Sequence, residues 1–334
     1  MAESIDVIAL LGQFTHSRRD NEQTLAVAKA LAKNGTLYQK SVFFNILIYL
    51  PSFILFFIPI WLLIKHNDGF TDVEHCDAIV VSGRKMIRYA KHIKKNAFTN
   101  AKIIQIGDPR YSVKVDVLLK PEHGKFLAFC KNVVKYRGHF CEKVDENLLK
   151  QECERFSNIK NALKGPFVGV FIGERKYSFK MIPSVIEEFA KAINNISHNM
   201  KMPLLIATRE NTPKIVSEIL KKNLDCSYYF YDFNNNPSNN PKLAFMSWAE
   251  YYLLFSGSIV KQCELIAQGK PTYVYSEGST STKYERFLLS LISDGVVKTF
   301  NKNSEFLEKF EPKPLNDMDN ICEKIEKTII DNEQ

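Results

Sequence analysis

Short apolar runs, each ending in a polar loop that mostly bears glycine, recur along this chain and leave few folds open to it. Residues 5–11 form one run, followed by a polar loop from Gly12 to Asp20; 77–81 ends at Ser82-Gly83, 102–106 at Gly107-Asp108-Pro109-Arg110, and 115–119 at Pro121-Glu122-His123-Gly124. After a charged, helical stretch at 142–164 the rhythm restarts. Residues 167–172 end at Gly173-Glu174-Arg175-Lys176, 204–207 at Thr208-Arg209-Glu210-Asn211-Thr212-Pro213, and 251–255 at Ser256-Gly257-Ser258. A further run at 228–231 leads into the Asn/Pro-rich loop 234–241. Strands alternating with helices, with a polar loop after each strand, specify doubly wound parallel sheets. Asp20 with Gln23 three residues later predicts a capping box that opens a helix running to about Lys33. Pro213 suits the first turn of a helix, Gly269 a left-handed helix stop, and Pro271 the start of the next strand. The expected fold is α/β, with two Rossmann-like domains at 1–150 and 165–315 and a C-terminal helix at 316–334.

The length of 334 residues suits two such domains. A net charge of +8 favours anionic partners without choosing among phosphates, anionic lipid and nucleic acid. Seven cysteines, without CxxC or Cys/His spacing, read as reduced thiols. No metal site is expected. The N-terminus reads as no secretory signal, because its apolar run is only strand-length and acidic residues flank its start.

Residues 42–64 break the pattern: they are interrupted only by Asn45, Pro51, Ser52 and Pro59, and flanked by Lys40 and Lys65. The length suits a bilayer span, which takes roughly 20 apolar residues. A crossing, however, would separate the first strand and helix from their sheet. Burial in the domain is a second reading, and a membrane-surface element kinked at its two prolines is the favoured one. Arg84, Arg88, Lys91 and Lys95 recur at helical spacing, with Lys85 and Lys94 beside them. This basic helix at 84–95 reads as a solvated face or as a contact with anionic lipid. It has no nucleic-acid motif and no interleaved aromatics, so nucleic acid is not an expected partner.

The stretch from Ser256 through Glu264 to Gly269-Lys270-Pro271 carries the sharpest chemistry. In an open parallel sheet ligands bind beyond the C-terminal strand ends, where helix N-termini offer N–H groups to phosphate. Glu264, on the second turn of the helix after that loop, is placed to accept hydrogen bonds from a ribose; a solvated Glu in an ordinary βαβ unit is the alternative. At least one of Ser256 and Ser258 is expected to cap the helix.

Several motifs together resemble the mitochondrial-fission family named for a plant elongated-mitochondria protein. They are, in order, Val81-Ser82-Gly83-Arg84, Gly107-Asp108-Pro109-Arg110, Pro121-Glu122-His123, and Asn132-Val133 through Gly138. The second half adds Phe171-Ile172-Gly173, the Thr208 to Pro213 run, Asn240-Pro241, Ser258 to Glu264, and Gly269-Lys270-Pro271. The family is similar to two-domain GT-B glycosyltransferases, so the resemblance implies domains facing across a cleft. It implies a nucleotide-sugar donor held by the C-terminal domain through Gly173, Arg175, Lys176, Arg209, Ser256, Ser258 and Glu264, with no cofactor and no metal. The resemblance also implies an acceptor, lipid-linked or of the envelope, on the N-terminal domain. His123, Asp108 and His16 are candidates to take the acceptor's proton, His123 first; Asp108 also suits bracing its own turn. The implied protein is a glycosyltransferase on the cytoplasmic face of an inner membrane, peripheral or monotopic. A non-enzymatic membrane adaptor that keeps the fold is the alternative, left open by Gly257, Val260 and Gly124, which depart from the family pattern at ligand loops. A nucleotide-sugar epimerase is a third reading, although no Tyr-x-x-x-Lys or GxGxxG motif accompanies the first strand.

Overall fold

The first apolar run forms β1 (Val7–Gln13), buried at every position but the last. Strands covered on both faces have this continuous apolar character. The computed structural model describes residues 4–14, 17–55, 57–107, 115–122, 132–174, 181–255, 258–277 and 282–330. Helix α1 (Arg18–Leu31) follows β1. Its N-cap is Ser17, whose hydroxyl donates to the Phe14 carbonyl at 2.7 Å, and Asp20 lies inside the first turn. The capping box expected at Asp20 and Gln23 is therefore not formed.

β2 (Leu37–Phe44) pairs in parallel with β1. Here the structure corrects the expectation that 42–64 is one kinked element. Its first residues complete β2, and Ile64 opens β3 (Ile64–Asn67), antiparallel to β2. Between them run a 3-10 turn at Ile46–Tyr49 and the one-turn helices α2 (Ser52–Leu55) and α3 (Ile60–Leu63). Pro51 precedes α2 and Pro59 is the N-cap of α3, positions where a missing N–H costs little. Among the described residues no helix is long and apolar enough to cross a membrane.

β4 (Ala78–Ser82), α4 (Met86–Asn96), β5 (Lys102–Ile106), β6 (Val117–Pro121) and β7 (Val133–Tyr136) complete a sheet ordered β3-β2-β1-β4-β5-β6-β7, parallel except at β3. Because strand side chains alternate, Val7 and Ala9 pack with α1 on one face. Ile8 and Leu10 pack with α4 and with Val42, Phe44, Ile48, Leu55 and Leu63 on the other. Burial in the domain thus holds for these five side chains of the apolar segment.

The stretch expected as a connection forms α5 (Glu146–Arg155) and α6 (Ser157–Leu163). Then come β8 (Phe167–Ile172), α7 (Pro183–Met200), β9 (Leu204–Ala207), α8 (Lys214–Asn223), β10 (Tyr228–Tyr231), α9 (Lys242–Trp248) and β11 (Ala249–Phe255). They are followed by α10 (Ile259–Ile266), β12 (Thr272–Tyr275), α11 (Thr282–Ser293) and β13 (Lys298–Phe300). The sheet order is β10-β9-β8-β11-β12-β13, parallel throughout. Pro213 is the N-cap of α8, one residue ahead of the expected first turn.

The final helix, α12 (Met318–Ile330), returns to the first sheet, where Ile321, Cys322, Ile325 and Ile329 are buried with α1 and β7 residues. Asn316 secures the return: it accepts from the Arg137 N–H at 2.7 Å and donates to the Arg137 carbonyl at 2.9 Å. The chain thus divides into one compact unit of Met1–Cys141 with Asn316–Gln334 and another of Glu142–Leu315. Residues 142–150, expected with the first domain, lie in the second unit.

Candidate functional site

In the second sheet the strand order reverses between β8 and β11, and the carboxyl ends there are where a doubly wound sheet takes ligands. The Gly173 N–H donates to the Phe255 carbonyl at 2.9 Å, which keeps the chain leaving β8 alongside the end of β11. The loop after β9 is folded by its two threonines, both buried. Thr212 Oγ1 donates to the Gly173 carbonyl at 2.9 Å and accepts from the Arg209 N–H at 3.0 Å. Thr208 Oγ1 accepts from the Phe233 N–H at 2.9 Å and donates to Asp232 at 3.3 Å. Asn211 takes a φ of 63°, a left-handed conformation that Asn tolerates better than most residues. The turn holds Arg209 at the crevice with its Nη1 buried and without a hydrogen-bond partner among the described residues.

Glu264 lies on the second turn of α10, as expected, but not as an open carboxylate. Its Oε1 accepts from Lys261, one turn earlier, and its Oε2 lies 3.3 Å from the ammonium of Lys242, the first residue of α9. Burial opposes its ionisation, yet Lys242, Lys261 and Arg209 outweigh burial and hold its carboxyl below the usual carboxylate range. Lys242 also shifts down, since burial, helped by the Lys261 and Arg209 charges, prevails over the attraction of Glu264. Both members of the pair therefore move the same way, and desolvation rather than pairing governs the lysine. Gly173, Thr208, Arg209, Lys242 and Lys261 line a cavity with an apolar floor that includes Phe171, Ala207, Leu254 and Leu265. Its volume is about 20 Å³, room for one water molecule.

Ser258 is the N-cap of α10 and buried, but its side chain does not cap the helix. Gly269 ends the following turn at φ +75°, as expected. The Lys270 ammonium donates to the carbonyls of Met246, Ser247 and Ala249 at 2.8, 2.7 and 2.6 Å, so it closes the C-terminal end of α9. The structure thus brings Gly173, Arg209 and Glu264 to one crevice. Arg175, Lys176 and Ser256 lie outside the described residues, as do His16, Asp108 and His123 of the first unit. Lys242 and Lys261 are the members that sequence reasoning missed. Lys261 carries a visible signal, a cation three residues before Glu264 on a helix; Lys242 carries none, because α9 reaches Glu264 only through tertiary packing. No group of three or more metal-binding side chains is found among the described residues.

In the first unit the order reverses between β1 and β4. Asn21 brackets Gly12, accepting from its N–H at 3.0 Å and donating to its carbonyl at 2.9 Å. Ser82 Oγ donates to Asp20 at 3.4 Å, and Gly83 has φ +82°, with Asp20 Oδ2 2.5 Å from where a β-carbon would sit. No side chain larger than hydrogen fits there without displacing Asp20.

The basic helix is also partly reassigned. Arg88 turns inward and donates to the carbonyls of Leu55 and Ile58, the latter at 2.6 Å. The Lys85 ammonium lies 5.3 Å from the Phe14 ring centre and 5.0 Å from that of Tyr49. Both residues brace the apolar excursion instead of facing freely outward. That excursion carries an exposed apolar surface. Of the fourteen exposed large apolar side chains among the described residues, eight fall within 43–62, with Ile46 and Phe57 each 81% exposed and Trp61 66%. Single exposed apolar residues are ordinary, but such a concentration marks an interaction surface.

Two doubly wound α/β units, each with a strand-order reversal in its sheet, define a protein of GT-B-like fold. The chain belongs to the mitochondrial fission ELM1 family, whose model matches residues 20–329. It is 27% identical over 330 residues to the Rickettsia prowazekii (strain Madrid E) protein "Uncharacterized protein RP120", covering 90% of this chain and 93% of that one. It is 22% identical over 272 residues to "Mitochondrial fission protein ELM1" of Arabidopsis thaliana, covering 75% of this chain and 63% of the plant protein. Among solved structures it is similar to the UDP-GlcNAc 2-epimerase of Methanocaldococcus jannaschii, with a TM-score of 0.54 at 12% identity, covering 96% of this chain and 99% of the epimerase. At that identity the likeness describes the fold.

Proposed function

We propose that this protein is a membrane-surface glycosyltransferase that takes a sugar from a nucleotide-sugar donor and passes it to a lipid-linked or envelope acceptor. The observation that carries the reading is the crevice beside Glu264, where three cations, Lys242, Lys261 and Arg209, gather around one carboxylate. Such an excess of positive charge at a strand-order reversal suits the diphosphate that departs in sugar transfer, and fixed cations stabilise it as it leaves. Glu264 is the group placed to accept from a ribose. The exposed apolar excursion supports membrane association, with Trp61 and Tyr49 of the aromatic type that favours the lipid–water interface. The cytoplasmic face of an inner membrane is the proposed location.

A thermal-shift screen against UDP-, GDP-, ADP- and CMP-sugars tests the reading. A cognate donor at 100 times its dissociation constant should stabilise the protein by about 2.7 kcal/mol; no shift with any of them counts against a transferase. The second reading, a non-enzymatic membrane adaptor, is favoured by the small cavity and by the ion pairs that occupy Glu264. It predicts vesicle binding without any nucleotide affinity.

A further inference from the structure

We propose that the crevice works by charge exchange: Lys242 and Lys261 hold Glu264 in the unliganded protein, and adjacent phosphates of a ligand draw both lysines away, releasing Glu264 to accept sugar hydroxyls. The inference rests on the nucleotide-sugar reading and narrows its ligand class to nucleoside diphosphates and their sugar esters. Three observations carry it. Each carboxylate oxygen of Glu264 already has an ammonium partner, one on α9 and one on α10. Lys242 and Lys261 both line the cavity, whose volume of about 20 Å³ leaves room for about one water beside them. Arg209 lines the same cavity with a buried nitrogen that has no hydrogen-bond partner among the described residues, a donor that an arriving anion would satisfy.

The charges balance on exchange. Three cations and one carboxylate leave an excess of two positive charges, which a bridging diphosphate matches. Hydroxyl donors on the attached ribose then replace the ammonium groups that Glu264 loses. A nucleoside lacking phosphates would have to displace the lysines from Glu264 with nothing to receive them. Ribose recognition is thereby conditional on diphosphate recognition.

Titration calorimetry of the full chain and of Glu264→Gln tests this, using inorganic pyrophosphate, the UDP, GDP, ADP and CDP set, and the corresponding nucleosides. Glutamine keeps the shape but removes the competing charge, so pyrophosphate should bind Glu264→Gln about tenfold more tightly than the unaltered protein. The same substitution should shrink the advantage that the preferred nucleoside diphosphate holds over pyrophosphate, and no nucleoside alone should bind measurably. Lys261→Met should weaken pyrophosphate binding, and matched circular dichroism and melting curves confirm that the variants fold. Pyrophosphate affinity that is unchanged or weaker in Glu264→Gln, pyrophosphate that binds neither protein, or a nucleoside that binds as well as its diphosphate overturns the exchange. If pyrophosphate behaves as expected but no nucleoside diphosphate surpasses it, the exchange stands and the nucleotide-sugar reading falls.

Discussion

Asp20 illustrates how one side chain sets a cost that sequence spacing does not reveal. Burial raises its carboxyl above the ordinary aspartate range, against the opposing pull of the Ser82 hydroxyl and the Arg19 charge. A raised value in the folded state means that folding favours the protonated form. The ionised carboxylate therefore subtracts from stability at neutral pH, and the penalty lifts as pH falls through the folded-state value. Asp20→Asn retains an acceptor for Ser82 Oγ and removes the charge. Its melting temperature should exceed that of the unaltered protein at pH 7, and the gap should close toward pH 4; calorimetric melts that show a less stable variant at pH 7 would refute this. The spacing of Asp20 and Gln23 suggested a cap because the motif is local, whereas the helix start was set by the chain's approach from β1, which placed Ser17 at the end. Glu264 was legible for a related reason: its position depends only on the strand–turn–helix unit around it. Its lysine partner on α9 was not, since Lys242 stands 22 residues away in sequence.

At the scale of elements, the excursion between β2 and β3 is two surfaces in one segment. Asn45 clasps its ends: it accepts from the Leu47 N–H at 3.0 Å, its side chain donates to the Leu62 carbonyl at 2.5 Å, and its N–H donates to the Leu63 carbonyl at 2.9 Å. Ile48, Leu55 and Leu63 point into the core while Ile46, Phe57 and Trp61 are exposed. Replacing those three exposed residues with serine should abolish sedimentation with phospholipid vesicles, while stability changes by no more than about 0.5 kcal/mol per site, as is usual for surface positions. Leu63→Ala should do the reverse, costing about 2–5 kcal/mol by chemical denaturation and leaving vesicle binding in any protein that stays folded. Unaltered vesicle binding by the triple serine variant would exclude the excursion as the membrane contact. The sequence displayed the segment's apolar character and its two proline breaks. It could not display the division between buried and exposed residues, because short helices and a 3-10 turn impose no single period from which a face can be read.

At the scale of the whole molecule, the strand–helix rhythm showed the central strands of both sheets, since each βα unit declares itself within some thirty residues. By contrast, β2, β3, β7 and β13 were not legible as strands, β2 and β3 because their apolar residues merge with the excursion between them. The return of the final helix to the first unit was beyond such reasoning, because an amphipathic helix shows that it needs a partner without showing which. α12 supplies Ile321, Ile325 and Ile329 to the first core, and each buried residue of that kind contributes about 1.5–3 kcal/mol. Removing residues 316–334 should therefore raise amide hydrogen exchange in β7 and α1. Protection there equal to that of the full chain would show that the helix is dispensable.

That return also bears on synthesis. The second unit is continuous in the chain and has all its residues once position 315 has been made, whereas the first must wait for α12 before its core can close. At about 5–20 residues per second, the face of the first sheet that α12 covers, with Val134 and Tyr136 of β7, stays incomplete for about ten seconds or more after β7 emerges. A nascent protein in that condition exposes apolar surface that the finished fold covers, so this interval is the one in which a chaperone finds most to hold.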